Sequence, residues 1–184
     1  GGVRKRLSGG EKADVIMGTA PAIADMEQSG IIVAGTRREL GRTLTGICVR
    51  DGMPMPDIST PDRFKQAMLT ARSVAYTNPE AGGTSGIYLV GLLGRLGIAD
   101  AVARKSLLCV NGDEVVEKVL SGEAEIGSTF ISEIVPIAGV ALVGALPAAI
   151  ENATTYAAGV MAGSARQEAS ARFIAMLTAP AEHA

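Results

Sequence analysis

Three short stretches of this chain carry residues suited to holding an anion. The first is Tyr76-Thr77-Asn78-Pro79-Glu80-Ala81-Gly82-Gly83-Thr84-Ser85-Gly86, a Gly-rich loop between an apolar run, Ser73 to Tyr76, and a helical run, Ile87 to Leu96. A first helical turn leaves its N–H groups unpaired and partly positive. Small residues let a ligand approach that backbone, and the hydroxyls of Thr84 and Ser85 add donors. Such a place suits an oxyanion. No Lys follows the glycines and no Gly-x-Gly-x-x-Gly occurs, so neither common phosphate motif is present. The loop alone also reads as a plain turn. The second stretch, Asn111-Gly112-Asp113, and the third, Thr129 to Ser132, likewise leave a strand pattern and enter a helix. Three donor-bearing strand ends carry more weight than any one of them.

Other chemistries are poorly supplied. The single His, His183, stands next to the C-terminus, which nearly excludes a His-dependent triad or a His-rich metal site. Cys48 and Cys109 lie in apolar runs without metal-ligand spacing and read as buried small hydrophobes. Asp14, Glu80, Asp113 and Glu133 raise the question of a cation site. Asp113 and Glu133 stand at helix starts, where acids favour the dipole, and Glu80 lies on a solvated loop. No paired spacing supports a metal, and no cofactor is called for. Arg4-Lys5-Arg6 reads as a solvated face.

The chain has 184 residues, 47% hydrophobic, with 3% aromatics, no Trp and a net charge of -2. That composition allows a sizeable core and argues against disorder. It supplies neither a basic nucleic-acid surface nor stacking platforms. No run reaches the roughly 18 apolar residues of a membrane span. The chain opens Gly-Gly without Met, as a processed or truncated product would.

The elements that must position these residues alternate. Val3 to Leu7 reads as a short helix, Ala13 to Gly18 as a strand, Pro21 to Ser29 as a helix, and Leu44 to Val49 as a strand. Thr60-Pro61-Asp62 starts a helix, with Thr60 as N-cap, and Phe64, Ala67, Met68 and Ala71 fall at helical spacing. Further strands are expected at Ser106 to Val110, Glu125 to Ile131, Val140 to Val143 and Thr154 to Met161. A last helix, Ala165 to Leu177, follows Ser164 and turns Phe173, Ile174 and Leu177 inward. Alternation of this kind predicts an α/β fold with mainly parallel sheets and helices on both faces. In such sheets ligands bind beyond the carboxyl ends of the strands.

Several pieces stand in order along the chain: Gly1-Gly2-Val3-Arg4-Lys5-Arg6-Leu7, Gly10-Glu11-Lys12-Ala13-Asp14-Val15, Asn78-Pro79 through Gly86-Ile87-Tyr88, Arg95-Leu96-Gly97-Ile98, Gly122-Glu123-Ala124-Glu125-Ile126-Gly127, Ser132-Glu133-Ile134 and Leu142 to Pro147. As an ordered set they resemble the periplasmic solute-binding proteins of ABC importers, of the molybdate-binding type. The resemblance implies a two-lobe type II periplasmic binding fold with the ligand in the interlobe cleft. Lobe 1 would be residues 1–45 plus 159–184, incomplete because the chain starts late. Lobe 2 would be residues 46–158, with Leu44 to Arg50 and Thr154 to Gly163 as crossover segments.

The family's ligand contacts fall on Ser85, with Gly83 and Thr84 beside it, and on Gly112 or Asp113. Its cleft tyrosine falls on Phe130, which has no hydroxyl, so Thr129 or Ser132 would substitute. Its first-lobe hydroxyl contact falls on Gly1 or Gly2, where only backbone N–H remains. The implied function is capture of a small oxyanion, molybdate- or tungstate-like, or of a small organic anion. Delivery would be to an ABC permease in the membrane, from the periplasm, without catalysis and without nucleic acid. The competing readings are the effector-binding domain of a cytosolic transcription regulator and an α/β transferase.

Overall fold

A computed structural model of the chain describes residues 2–179. It divides into two compact units, Gly1–Arg42 with Thr154–Ala184 and Thr43–Ala153.

In the first unit, helix α1 (Gly2–Ser8), strand β1 (Val15–Thr19) and helix α2 (Ala20–Gln28) are followed by the opening residues of strand β2 (Arg38–Arg50). Strand β7 (Ala153–Val160) and helix α8 (Gln167–Leu177) complete it. β1 pairs antiparallel with β7, from Val15 opposite Val160 to Thr19 opposite Tyr156. Adjacent residues of β7 serve opposite faces. Ala157 packs with Ile16, Ile23, Met26 and Ile32, whereas Ala158 and Val160 pack with Ile174. The Ser164 hydroxyl accepts the Arg166 N–H at 2.9 Å and donates to Asp14 at 2.6 Å. It therefore ties the turn before α8 to the residue preceding β1. The expected inward stripe on α8 is narrower than the spacing implies. Ile174 is buried, but Phe173 and Leu177 are exposed. Eleven residues offer one buried face here, and Ile174 with Ser170 fill it.

The second unit continues from β2 through helix α3 (Pro61–Thr70), β3 (Val74–Thr77), α4 (Thr84–Arg95), α5 (Ala99–Ala103), β4 (Ser106–Cys109), α6 (Gly112–Ser121), β5 (Ile126–Phe130), α7 (Ile131–Ile134) and β6 (Val140–Ala145). A single turn of 3-10 helix, Ala148–Ile150, follows. Local chemistry sets the helix ends. Thr60 Oγ1 accepts the Arg63 N–H at 3.2 Å at the start of α3, and Pro61 stands where no N–H is required. Asn111 caps α6 by accepting the Glu114 N–H at 2.9 Å, and Gly122 ends it with φ 82°.

β3 lies between β4 and β5 and is parallel to both. β2 is antiparallel to β5 and to β6. The α/β class follows the alternating pattern, and parallel pairing holds where helical crossovers join the strands. It is confined to β4, β3 and β5, because β2 runs against β5 and separates it from β6. One face of the sheet carries Phe64, Met68, Leu89, Leu92 and Leu93 from α3 and α4, packed on Ile47, Val49, Val74, Tyr76 and Ile126. The other carries Val115, Val116 and Val119 of α6 on Cys48, Ala75 and Cys109. α4 and α6 therefore cover opposite faces.

Phe64 is fully buried whereas Phe173 is 42% exposed, so the two phenylalanines predict different costs on truncation. Phe64→Ala should lose about 3–5 kcal/mol of stability, and Phe173→Ala about 0.5 kcal/mol. Urea unfolding of the two variants measures both; equal losses would contradict this packing.

Candidate functional site

β3 ends at the place where the sheet's crossovers change direction. From β3 the chain crosses one face through α4 and α5 to β4, and from β4 it returns over the other face through α6 to β5, on the far side of β3. A crevice outside the strand ends forms at such a switch point. The residues expected to bind, other than Gly1 and Gly2, belong to the three loops at this end. Gly83, Thr84 and Ser85 open α4, Gly112 and Asp113 open α6, and Thr129, Phe130 and Ser132 stand at the β5–α7 junction. Gly1 lies outside the described residues, and Gly2 is the first residue of α1 in the first unit.

Thr77, the last residue of β3, locks the start of α4. Its Oγ1 accepts the Gly86 N–H at 2.9 Å and lies 3.0 Å from Ser85 Oγ, all of it buried. The fit is tight enough to require glycine. A Cβ on Gly86 would stand 1.7 Å from the Thr77 carbonyl oxygen, and one on Gly83 would stand 2.6 Å from Thr77 Cβ. The loop is closed by Gly83 N–H to the Asn78 carbonyl at 3.2 Å and by Asn78 N–H to the Cys109 carbonyl at 2.7 Å. The Ser85 hydroxyl thus points into the fold rather than outward. The N–H groups of Thr84 and Ser85 have no acceptor among the described residues, and the Thr84 side chain is exposed.

On the other face, Gly112 and Asp113 begin α6, and their N–H groups also lack acceptors among the described residues. Here the surroundings are acidic. The Glu133 carboxylate fills the space over Gly112, where a Cβ would come within 2.0 Å of Oε2. Glu133 Oε2 accepts the Thr129 hydroxyl and the Phe130 N–H, the latter at 3.1 Å. Glu133 is thus the third helical residue reaching back to its own helix start. Thr129 is fully buried and its hydroxyl is spent on this carboxylate, while Ser132 is exposed and accepts from Thr43 at 3.2 Å. Phe130 is buried.

This arrangement offers N–H donors from two helices and a fixed carboxylate acceptor. It offers no thiol nucleophile. Burial pushes the Cys48 thiol up to about 12 and the Cys109 thiol up to about 11, with Glu114 adding to the latter. Among the described residues, no three His, Cys, Asp or Glu side chains group to hold a metal ion. Sequence reasoning missed Thr77, a hydroxyl at the last position of a strand directly before a Gly-rich helix start. It also weighed Glu133 as a helix-start acid and as a candidate cation ligand, but not as the group that covers Gly112.

A family model described as bacterial extracellular solute-binding protein matches residues 1–184. The chain is 31% identical over 169 residues to an aconitate isomerase of a Pseudomonas species, covering 91% of this chain and 63% of that protein. It therefore spans less than two thirds of the length of this curated relative. Among solved structures it is similar to the periplasmic molybdate-binding protein of Azotobacter vinelandii, with a TM-score of 0.69 and 17% identity over 98% of this chain and 78% of that one. It is also similar to a sulfate-binding protein of Mycobacterium tuberculosis, with a TM-score of 0.70 and 16% identity over 95% and 67%. At these identities the two structures share its fold.

The clamp at Thr77 makes a graded prediction. Thr77→Val leaves the Gly86 N–H without its acceptor and should cost about 1–3 kcal/mol. Gly86→Ala should cost about 3 kcal/mol or more, since backbone must move. Gly94→Ala, in the same helix with open space at its Cβ, should instead stabilise by about 0.5–1 kcal/mol. Denaturant midpoints rank the three; a destabilised Gly94→Ala or a neutral Gly86→Ala would contradict the clamp.

Proposed function

The chain belongs to the bacterial extracellular solute-binding protein family, and from that premise we propose that it captures a small organic acid at the ends of β3, β4 and β5. The observation that carries this reading is the Glu133 carboxylate seated against Gly112. A tetrahedral oxyanion such as molybdate, placed on the Gly112 and Asp113 N–H groups, would meet that like charge at close range. An organic acid that carries a hydroxyl, or keeps one carboxyl protonated, avoids the conflict. Its carboxylate takes the N–H groups at the start of α4, and a hydroxyl or protonated carboxyl donates to Glu133. The relative at 31% identity is named for aconitate, a small acid with several carboxyls, which supports the same ligand class.

In this reading the protein works outside the cytoplasm, as the family description supports, and hands its ligand to an ABC permease. Among the described residues no helix is long and apolar enough to cross a membrane. The same relative supports a second reading, in which the chain isomerises such an acid. Glu133 would then be the group that exchanges a proton with the ligand.

Calorimetric titration with trans-aconitate, citrate, sulfate and molybdate tests the proposal. The acids should release or absorb heat, and an acid at 100 times its dissociation constant should add about 2.7 kcal/mol to stability. Binding of molybdate or sulfate without the acids would overturn it. Proton NMR of trans-aconitate left with the protein separates the two readings. Unchanged spectra are expected for capture; conversion to the cis isomer that Glu133→Gln abolishes would establish the isomerase.

A further inference from the structure

Two hydroxyls in the second unit are buried without a partner. Thr45 on β2 is 0% exposed and Ser128 on β5 is 1% exposed. Neither Thr45 Oγ1 nor Ser128 Oγ makes a hydrogen bond to any described residue. A buried hydroxyl left unpaired is costly, so such groups are rare in native folds.

Their positions are related. Ile47 stands opposite Ser128, and Thr45 stands opposite Phe130. Thr45 and Ser128 are therefore diagonal neighbours on adjacent strands, with side chains on one face. That face is the one under α4. Ile47 and Tyr76 flank Ser128 in register on β2 and β3, and both pack with Leu89, Leu92 and Leu93 of α4. The residue after Tyr76 is Thr77, which clamps the first turn of α4. The two hydroxyls thus face the region where the α4 N-terminus meets the sheet. Phe130, 5% exposed, is the next side chain on that face toward the strand end. It stands beside Thr45 in register and between Ser128 and the end of β5.

We propose that Thr45 and Ser128 are ligand-binding residues, whose hydroxyls hold one carboxylate of the organic acid once it displaces the Phe130 side chain. This rests on the reading of the second unit as an organic-acid site. Two neutral donors suit a carboxylate without adding a counter-charge, and the N–H groups of Thr84 and Ser85 lie on the same helix-capped side. Phe130 then acts as a cover. It helps to close the polar pair from water while no ligand is bound, and its rotation opens the face beside Thr45.

The test is titration of trans-aconitate into the wild-type chain and into Thr45→Val, Thr45→Ser and Ser128→Ala, with the thermal midpoint of each free protein. Wild type should bind. Thr45→Val and Ser128→Ala should each weaken binding about tenfold or more, and Thr45→Ser should restore it. The free variants should melt at the wild-type temperature or higher, because the substitution removes an unpaired buried hydroxyl. Equal affinity across the set would overturn the inference while leaving organic-acid binding intact. A lowered midpoint in both Thr45→Val and Ser128→Ala would also overturn it, assigning the hydroxyls to the fold. A silent wild type would remove the binding reading itself, and this inference with it.

Discussion

The hydrogen bond from the Gly86 N–H to the Thr77 hydroxyl is the constraint on which the candidate site depends. It draws the first turn of α4 onto the last residue of β3 so closely that neither Gly83 nor Gly86 has room for a side chain. The consequence is positional. α4 begins directly at the strand end, so its free N–H groups stand at the switch point of the sheet instead of above a face. A hydroxyl in place of a charged residue also keeps the neighbourhood neutral on this side. The donors there remain available for an anion.

The other side of the same strand end has the opposite character. Asn111 satisfies the third N–H of α6, but the space over Gly112 belongs to Glu133. Two helices thus approach one strand end from opposite faces, one bringing donors alone and one bringing donors with a carboxylate. A ligand that fits both must itself be polar in two ways, accepting at one end and donating at the other. Sulfate and molybdate at neutral pH carry no O–H and only accept. On the proposed reading, the charge pattern around Gly112 would select the ligand's chemistry before shape does.

Much of the scaffold was legible in the sequence, since its signals are local. Thr60-Pro61-Asp62 starts α3 as its residue types dictate, and Asn111-Gly112-Asp113 opens α6. The Gly-rich loop lies where strand and helical patterns change. What escaped reading depends on contacts between distant residues. Nothing near Glu133 in the chain announces that its carboxylate will cover Gly112, twenty-one positions earlier. β2 runs to thirteen residues, but its polar first half, Arg38 to Thr43, lacks the apolar pattern that marks a buried strand, so only Leu44 to Val49 was visible. Phe173 and Leu177 stand at helical spacing yet stay exposed, since periodicity gives a helix face without saying whether anything packs on it.

Glu133 also bears on the choice between capture and turnover. Its Oε2 is held by the Thr129 hydroxyl and the Phe130 N–H, so Oε1 is the oxygen left to meet a ligand. One fixed oxygen is sufficient to accept an O–H and so to orient a bound acid. Isomerisation asks more, because a proton must leave one carbon and arrive at another, which requires the carboxylate or the ligand to move between two positions. Thr129 is fully buried and Phe130 nearly so, and both anchor the carboxylate through Oε2. Orienting a bound acid would ask only for Oε1, whereas turnover would ask in addition that the carboxylate or the ligand move while the two stay together.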